Sequence, residues 1–182
     1  MLSPDLSSLP LVDTHCHLDL LQEKTGLSRE GLLGLIQPLP VALVQVACHP
    51  DEFQRTLAYL DHPRIFASFG VHPHEAHLYT EDVEKALRQY LAHPKALACG
   101  EIGLDYFYDL SPRDAQRKIF ERQIALALEL GKPLVLHLRA ADADALDILR
   151  NAPLRGHRLH VHCFSGNSSF AQNLLQLDAQ VY

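Results

Sequence analysis

Short runs of β-branched and other apolar residues alternate with helical patterns along the whole chain. The runs recur at intervals of roughly 20 to 40 residues, which is the spacing of successive βα units. Six complete runs span residues 11–14, 41–47, 65–70, 96–100, 134–137 and 159–163, and a seventh begins at Ala179. Alternating strands and helices predict an α/β fold with a parallel sheet, either doubly wound or closed into a (β/α)8 barrel.

The segments between these runs carry helix start and stop signals. Thr80 is a favourable N-cap residue, and from Val83 onward apolar residues follow i, i+3, i+4, i+7, i+8 spacing. A second helix is predicted to end at Gly131, ahead of Pro133. Pro50 opens a third helix.

Metal-ligating side chains stand at the ends of four of the runs. They are His15, His17, Glu101, His137 and His162. The carboxyl ends of barrel strands are where functional groups gather, so this pattern favours a barrel. A doubly wound sheet would favour a glycine-rich first turn, whereas the first run here leads into DTHCHLD.

The number of runs predicts an incomplete barrel. Complete (β/α)8 barrels need ~250 residues, whereas the seventh run here ends a chain of 182 residues. We therefore expect a TIM-type barrel truncated after about six to seven strands. Residues 1–10 would form an N-terminal tail, and residues 11–182 would form a single domain that lacks the C-terminal βα units.

Composition restricts the partners and the location. An apolar content of 47% predicts one globular domain with a sizeable core, and the net charge of −6 argues against binding nucleic acid through a basic patch. Bound divalent cations would supply positive charge of their own. The first ten residues lack the features of a signal peptide, and no apolar run approaches the ~18 residues of a membrane helix. We expect a cytoplasmic protein, with a monomer favoured.

The cysteines follow or lie within apolar runs, without a C-x-x-C pair among them. They are Cys16, Cys48, Cys99 and Cys163. We interpret them as buried reduced thiols in preference to zinc ligands or disulfides.

The strand-end residues predict a shared metal site. His15 and His17 lie two apart in an extended segment, so both can face one ion, although such a pair is often only a polar edge. Glu101 follows a buried run, where a carboxylate is costly unless it is paired or bound to metal, and its oxygens can bridge two cations. His137 and His162 would each, alone, more often be core histidines. Asp13 either orients an imidazole or accepts backbone hydrogen bonds.

Other polar residues at the same predicted edge suit a substrate anion. His72 and His74 follow the third run and can contact such an anion instead of a metal. Arg139 has the planar fork that matches phosphate oxygens, with a solvated rim arginine as the alternative.

Several motifs together resemble the TatD family of metal-dependent deoxyribonucleases. They occur in the family's order and cover nearly the whole chain: DTHCHLD, GVHPHEA, GEIGLDY, Q-x-x-x-F-x-x-Q at Gln116, Phe120 and Gln123, the segment 133–139, and HCFSG. The resemblance implies an amidohydrolase-like barrel, two divalent metals, and hydrolysis of DNA, often from the 3' end of single strands. It places His15 and His17 on one metal, His137 and His162 on the other, and Glu101 between them. The family's aspartate on the last strand, in a motif like E-T-D, has no counterpart here, because Asp178 precedes the seventh run.

The predicted function is a phosphodiester hydrolase that acts on single-stranded DNA ends. Two cations, Mg, Mn or Zn, would share an activated water, with Glu101 as the catalytic ligand. His72 and Arg139 would hold the phosphate, and Asp105 would support the site or touch the substrate. The alternatives are an amidohydrolase that cleaves C–N or ester bonds of small molecules, and a non-catalytic truncated metal-binding homologue.

Overall fold

The computed structural model describes residues 11–182, and the predicted tail at residues 1–10 lies outside them. Seven strands form one sheet in the order of the chain, and each strand is parallel to the next. The strands are β1 (Leu11–Cys16), β2 (Val41–Ala47), β3 (Ile65–Phe69), β4 (Ala96–Asp105), β5 (Leu134–Arg139), β6 (His157–Val161) and β7 (Ala179–Val181).

The sheet curls as a barrel wall does. Five strand spacings of about 4.8 Å would separate the first and sixth strands of a flat sheet by about 24 Å. Yet the ring of His15, on β1, stacks on that of His162, just after β6, with 3.5 Å between ring centres. The predicted α/β barrel architecture, incomplete after seven strands, is confirmed.

Helices connect the strands. They are α1 (Leu18–Thr25), α2 (Arg29–Ile36), α3 (Pro50–Leu57), a 3₁₀ helix (Pro73–Leu78), α4 (Glu81–Leu91), α5 (Arg113–Glu129), α6 (Asp142–Asn151) and α7 (Ser168–Leu175). The three sequence signals are confirmed: the Thr80 side chain accepts a hydrogen bond from the N–H of Val83, Pro50 opens α3, and Gly131 has a left-handed φ of 64° just after α5. In residues 11–182 no helix combines the length and apolarity that a membrane crossing requires.

Most of the buried apolar side chains belong to one core that joins the strands to the helices. Phe53, Phe69, Leu87, Leu91 and Phe120 are among its largest buried members. Six of the seven residues of β2 are buried, as expected for a parallel strand that is covered on both faces. A separate cluster of Ala42, Val44 and Phe66 is also buried.

The two glutamines of the Q-x-x-x-F-x-x-Q motif fasten α5 to strand ends. The side-chain amide of Gln123 accepts from the N–H of Val71 at 2.7 Å and donates to its carbonyl at 3.0 Å. Gln116 makes the same kind of pair with the backbone of Asp105 and also donates to the carbonyl of Ser111. Both side chains are fully buried, so their hydrogen bonds satisfy backbone groups that water does not reach. The helix thereby holds the ends of β3 and β4.

Several strand bounds and the burial of the cysteines differ from the sequence-based expectation, since β5 also continues through His137 to Arg139 and β6 spans His157–Val161. β4 continues to Asp105, so Glu101 lies within a strand and not after its end. The first strand likewise continues through His15 to Cys16. The prediction of buried thiols is correct for Cys99 but wrong for Cys163, which is exposed, while Cys16 and Cys48 are half-buried. Cys163 lies in the turn after β6, where the strand no longer shields it.

β4 and β5 approach each other closely beside the predicted site. Gly103 has a φ of +146°, and a Cβ atom at this position would lie 2.0 Å from the carbonyl oxygen of His137. Only glycine tolerates both the backbone conformation and the contact. The close approach places β4 directly against the segment that carries His137.

We expect Gly103→Ala to lower the free energy of unfolding by more than about 3 kcal/mol, because the methyl group would push β4 away from β5. Urea denaturation followed by circular dichroism measures this change. Gly34→Ala is the matched control, since nothing lies within 4 Å of its added Cβ in helix α2. The control should gain roughly 1 kcal/mol from helix propensity. Equal stabilities of the two variants would contradict the role assigned to Gly103.

Candidate metal centre

Glu101 lies between two groups of histidines at the carboxyl ends of the strands. Its Oε2 is 3.4 Å from Nε2 of His15, and its Oε1 is 2.9 Å from Nδ1 of His137. The two oxygens of one buried carboxylate therefore face different histidines. A carboxylate with this arrangement can bridge two cations.

The first group contains His15, Glu101 and His162. One ligand atom from each lies within 4.8 Å of the others, although the residues come from β1, from the interior of β4 and from the turn after β6. Nδ1 of His15 is buried and has no hydrogen-bond partner among residues 11–182. An orphaned imidazole nitrogen is costly, and an ordered water would satisfy it. The other nitrogen of this ring, Nε2, faces Glu101, and two imidazoles with one carboxylate are a donor set that fits a metal ion.

The second group contains His72, His74 and His137, whose ligand atoms also lie within 4.8 Å of one another. Asp105 holds this group together, because its Oδ2 is 2.8 Å from Nε2 of His137 and 3.0 Å from Nε2 of His74. The other oxygen of Asp105 accepts the backbone N–H groups of Phe107 and Tyr108. A fully buried carboxylate thus fixes both imidazoles and the turn that follows β4.

The electrostatics of the site keep the central carboxylate ionised. Burial opposes ionisation of Glu101, but hydrogen bonds from His137 and His15 outweigh it and hold the pKa of the carboxyl well below its usual range. Burial also opposes charge on His137, yet its bonds to Glu101 and Asp105 raise its pKa. An anionic carboxylate at this position suits a cation.

Two histidines of the site are kept neutral. Burial and the neighbouring His137 lower the pKa of His72 to about 3. Burial and the nearby His15 lower the pKa of His162. Only an unprotonated imidazole nitrogen can bind a metal or accept a hydrogen bond from a substrate, so both side chains are ready for either role.

The structure groups the histidines differently from the ligand sets that the family resemblance implies. His15 lies with His162 and Glu101, whereas the resemblance pairs His15 with His17 and His137 with His162. The ring of His17 is 5.2 Å from that of His15, at 70° to it, and belongs to neither group of potential ligands among residues 11–182. Asp13 accepts the backbone N–H of His15 at 3.0 Å. The assignment of individual ligands to individual ions stays a prediction.

The sequence predicts His74 only as a contact for an anion and not as a member of the metal site. The structure places it on Asp105, next to His72 and His137. The signal was present in GVHPHEA, because the H-x-H spacing of the first strand end recurs there.

A small cavity of about 130 Å³ connects the histidines to Arg139. It is lined by His137, Leu138, Arg139, His162, Cys163 and Ser165. The guanidinium of Arg139 lies over the rings of Phe107 and Tyr108, 4.2 Å and 4.7 Å from their centres. Arg139 makes no ion pair within residues 11–182, so its charge is available at the rim of the cavity.

Comparisons with known proteins identify relatives of this chain. The chain is 39% identical over 181 residues to the human 3'-5' RNA nuclease TATDN2. This match covers 91% of the chain and 23% of TATDN2. It is 33% identical to the uncharacterized metal-dependent hydrolase YabD of Bacillus subtilis, over 92% of this chain and 66% of YabD. The crystal structure of the TatD homologue YJJV from Escherichia coli superposes with a TM-score of 0.77 at 28% identity, over 95% of this chain and 67% of that one.

The chain therefore spans a quarter to two thirds of the length of these two relatives, 23% and 66%. The family model described as TatD related DNase matches residues 12–181, which contain both histidine groups and Glu101. Because it covers nearly the whole chain, this match shows that the chain belongs to the TatD-related DNase family.

Proposed function

We propose that this protein is a metal-dependent phosphodiester hydrolase that removes nucleotides from single-stranded nucleic-acid ends. The observation that carries the proposal is the position of Glu101, whose two oxygens face His15 and His137 in neighbouring groups of potential ligands. Two divalent cations held there would polarise a phosphodiester and lower the pKa of a water molecule toward ~7. Carboxylate and imidazole ligands suit Mg, Mn and Zn, so the donor set does not select one of them.

The protein's own groups would bind and orient the substrate around this centre. Arg139 faces the cavity beside His137 and His162, and its planar fork can hold two phosphate oxygens. His72 adjoins His137, with 4.4 Å between ring centres, and as a neutral imidazole it can contact a phosphate oxygen or a cation. Together they would place the phosphorus atom next to Glu101.

We assign Asp105 a positioning role instead of direct substrate contact. Its side chain is fully buried, and its oxygens already bond His137, His74 and two backbone N–H groups. Carboxylates behind metal-binding histidines fix the ring orientation and raise the basicity of the ligand. Asp105 would act on the reaction through the two imidazoles that it orients.

Both DNA and RNA fit the proposal. The sequence motifs imply single-stranded DNA, whereas the human relative is named as an RNA nuclease. Phosphate contacts and cations do not distinguish the two sugars, because that distinction requires a contact with the 2'-hydroxyl. The test therefore uses a DNA and an RNA oligonucleotide of the same sequence.

We expect Glu101→Gln to weaken cation binding and to reduce cleavage by at least about 100-fold, because even outer-shell partners of ligands contribute 10–100-fold. Calorimetric titration with Mn²⁺ measures the binding, and shortening of 5'-labelled oligonucleotides, with and without EDTA, measures the cleavage. Glu121→Gln is the matched control, because Glu121 is an exposed residue of α5 outside the site.

Two outcomes would contradict these assignments separately. If Glu101→Gln bound Mn²⁺ with unchanged stoichiometry and affinity, Glu101 would not be a ligand. If the wild-type protein bound Mn²⁺ but cleaved neither oligonucleotide, the nuclease proposal would fail, and a metal-binding protein without catalysis would be the better description.

We expect Arg139→Lys to raise KM for an oligonucleotide by about tenfold with a smaller change in kcat, because lysine keeps the charge but loses the bidentate hydrogen bonds. Steady-state cleavage rates over a range of oligonucleotide concentrations measure both constants. Arg158→Lys, at an exposed position of β6, is the matched control. An unchanged KM for Arg139→Lys would remove Arg139 from the phosphate site.

A further inference from the structure

Two adjacent aromatic side chains are exposed at the rim of the metal centre. Phe107 is 61% exposed and Tyr108 is 53% exposed, in the turn that follows β4. Their ring centres are 5.0 Å apart and the rings are nearly perpendicular, at 87°. Single exposed apolar residues are ordinary, but a pair in contact beside a functional site marks a surface for a ligand.

Hydrogen bonds hold this turn in place. Oδ1 of Asp105 accepts the N–H of Phe107 at 3.0 Å and the N–H of Tyr108 at 2.8 Å. The guanidinium of Arg139 covers part of both rings from β5. The rings are therefore oriented before a ligand arrives, and binding to them costs little conformational entropy.

Arg139 and His74 connect the two aromatic rings to the metal centre. Arg139 touches both rings and also lines the cavity that contains His137 and His162. Tyr108 packs edge-on against His74, with 5.6 Å between ring centres. A phosphate bound by Arg139 in the cavity would leave its attached nucleoside beside Phe107 and Tyr108.

The distribution of charge around the turn favours stacking over ion pairing as a source of affinity for nucleic acid. The net charge is −6, and two arginines near the same turn are already neutralised by acids, Arg113 by Asp109 and Arg117 by Asp144. Neither of these two arginines is free to bind a phosphate backbone beside the turn. Stacking of bases on aromatic rings contributes affinity without additional positive charge.

We propose that Phe107 is a stacking platform for an unpaired nucleobase next to the scissile phosphate, with Tyr108 and Arg139 supporting its ring. The proposal rests on the phosphodiesterase function proposed above and specifies how that site recognises its substrate. Every base presents a π face, so the platform tolerates all sequences. A base within a duplex stacks on its neighbours and pairs with the opposite strand, so its faces are not available to Phe107. The platform therefore selects unpaired ends.

The test combines one substitution with one change in the substrate. The substitution is Phe107→Leu, which keeps an apolar side chain and removes the ring. The substrate change replaces the terminal bases of a single-stranded oligonucleotide with abasic residues, which keep the phosphates. Wild type and variant are each assayed with both oligonucleotides for kcat/KM.

We expect the abasic substrate to lower kcat/KM of the wild type by about tenfold, and Phe107→Leu to lower it by a similar factor with the intact oligonucleotide. Phe107→Leu should cause no further loss with the abasic substrate, because no base remains to stack. Phe107→Tyr, which keeps a ring, should behave as the wild type. Leu110→Ala is the matched control, since Leu110 is 64% exposed in the same turn and has no ring, and it should change neither rate.

Additive losses for the substitution and the abasic substrate would overturn the platform. So would a loss of the same size in Leu110→Ala, because it would show a general effect on the turn. If the wild type cleaves no oligonucleotide, the proposed function fails, and the same pairs are then compared by fluorescence anisotropy of binding in the presence of Ca²⁺. Equal affinities of wild type and Phe107→Leu for the intact oligonucleotide would overturn the platform in that case as well.

Discussion

The site is arranged around the contacts of the buried Glu101 carboxylate with two histidines. Removing an ionised carboxylate from water costs roughly several kcal/mol, so it requires partners with good geometry. His15 from β1 and His137 from β5 provide them on opposite oxygens. β5 is the neighbour of β4, whereas β1 lies three strands away and reaches the side chain of Glu101 only because the sheet curls. The curl of the barrel wall therefore supplies one of the two partners that keep Glu101 ionised.

The layer behind the histidines is built from satisfied polar groups. Asp105 accepts hydrogen bonds from two backbone N–H groups and is hydrogen-bonded to two imidazoles. Gln116 and Gln123 make hydrogen bonds with backbone groups at the ends of β4 and β3. A buried polar network of this kind is rigid when every member has a partner and costly when one is lost. The motif Q-x-x-x-F-x-x-Q is therefore a structural device that holds the functional strand ends in position, with Phe120 in the core between its two glutamines.

Much of this arrangement could be predicted from the sequence, because the carboxyl ends of parallel strands meet at one edge. That rule alone brought His15, Glu101, His137 and His162 together. The division of the ligands could not be predicted, since the curl of the sheet decides that the ring of His15 faces His162 and not His17. The apolar run at residues 96–100 is shorter than β4, which continues to Asp105, because Gly100 permits close packing against Val135 and the strand extends past it.

The charge of the protein explains how recognition can be local. Proteins that bind nucleic acid along its backbone neutralise many phosphates, and their affinity falls steeply with salt. Here the negative net charge and the ion-paired arginines leave Arg139 as the cationic side chain at the cavity rim, beside ligands for cations. Cations at the centre would supply the remaining positive charge at the scissile phosphate itself. Attraction would then be concentrated on one phosphate and one stacked base, as the proposed cleavage at a strand end requires.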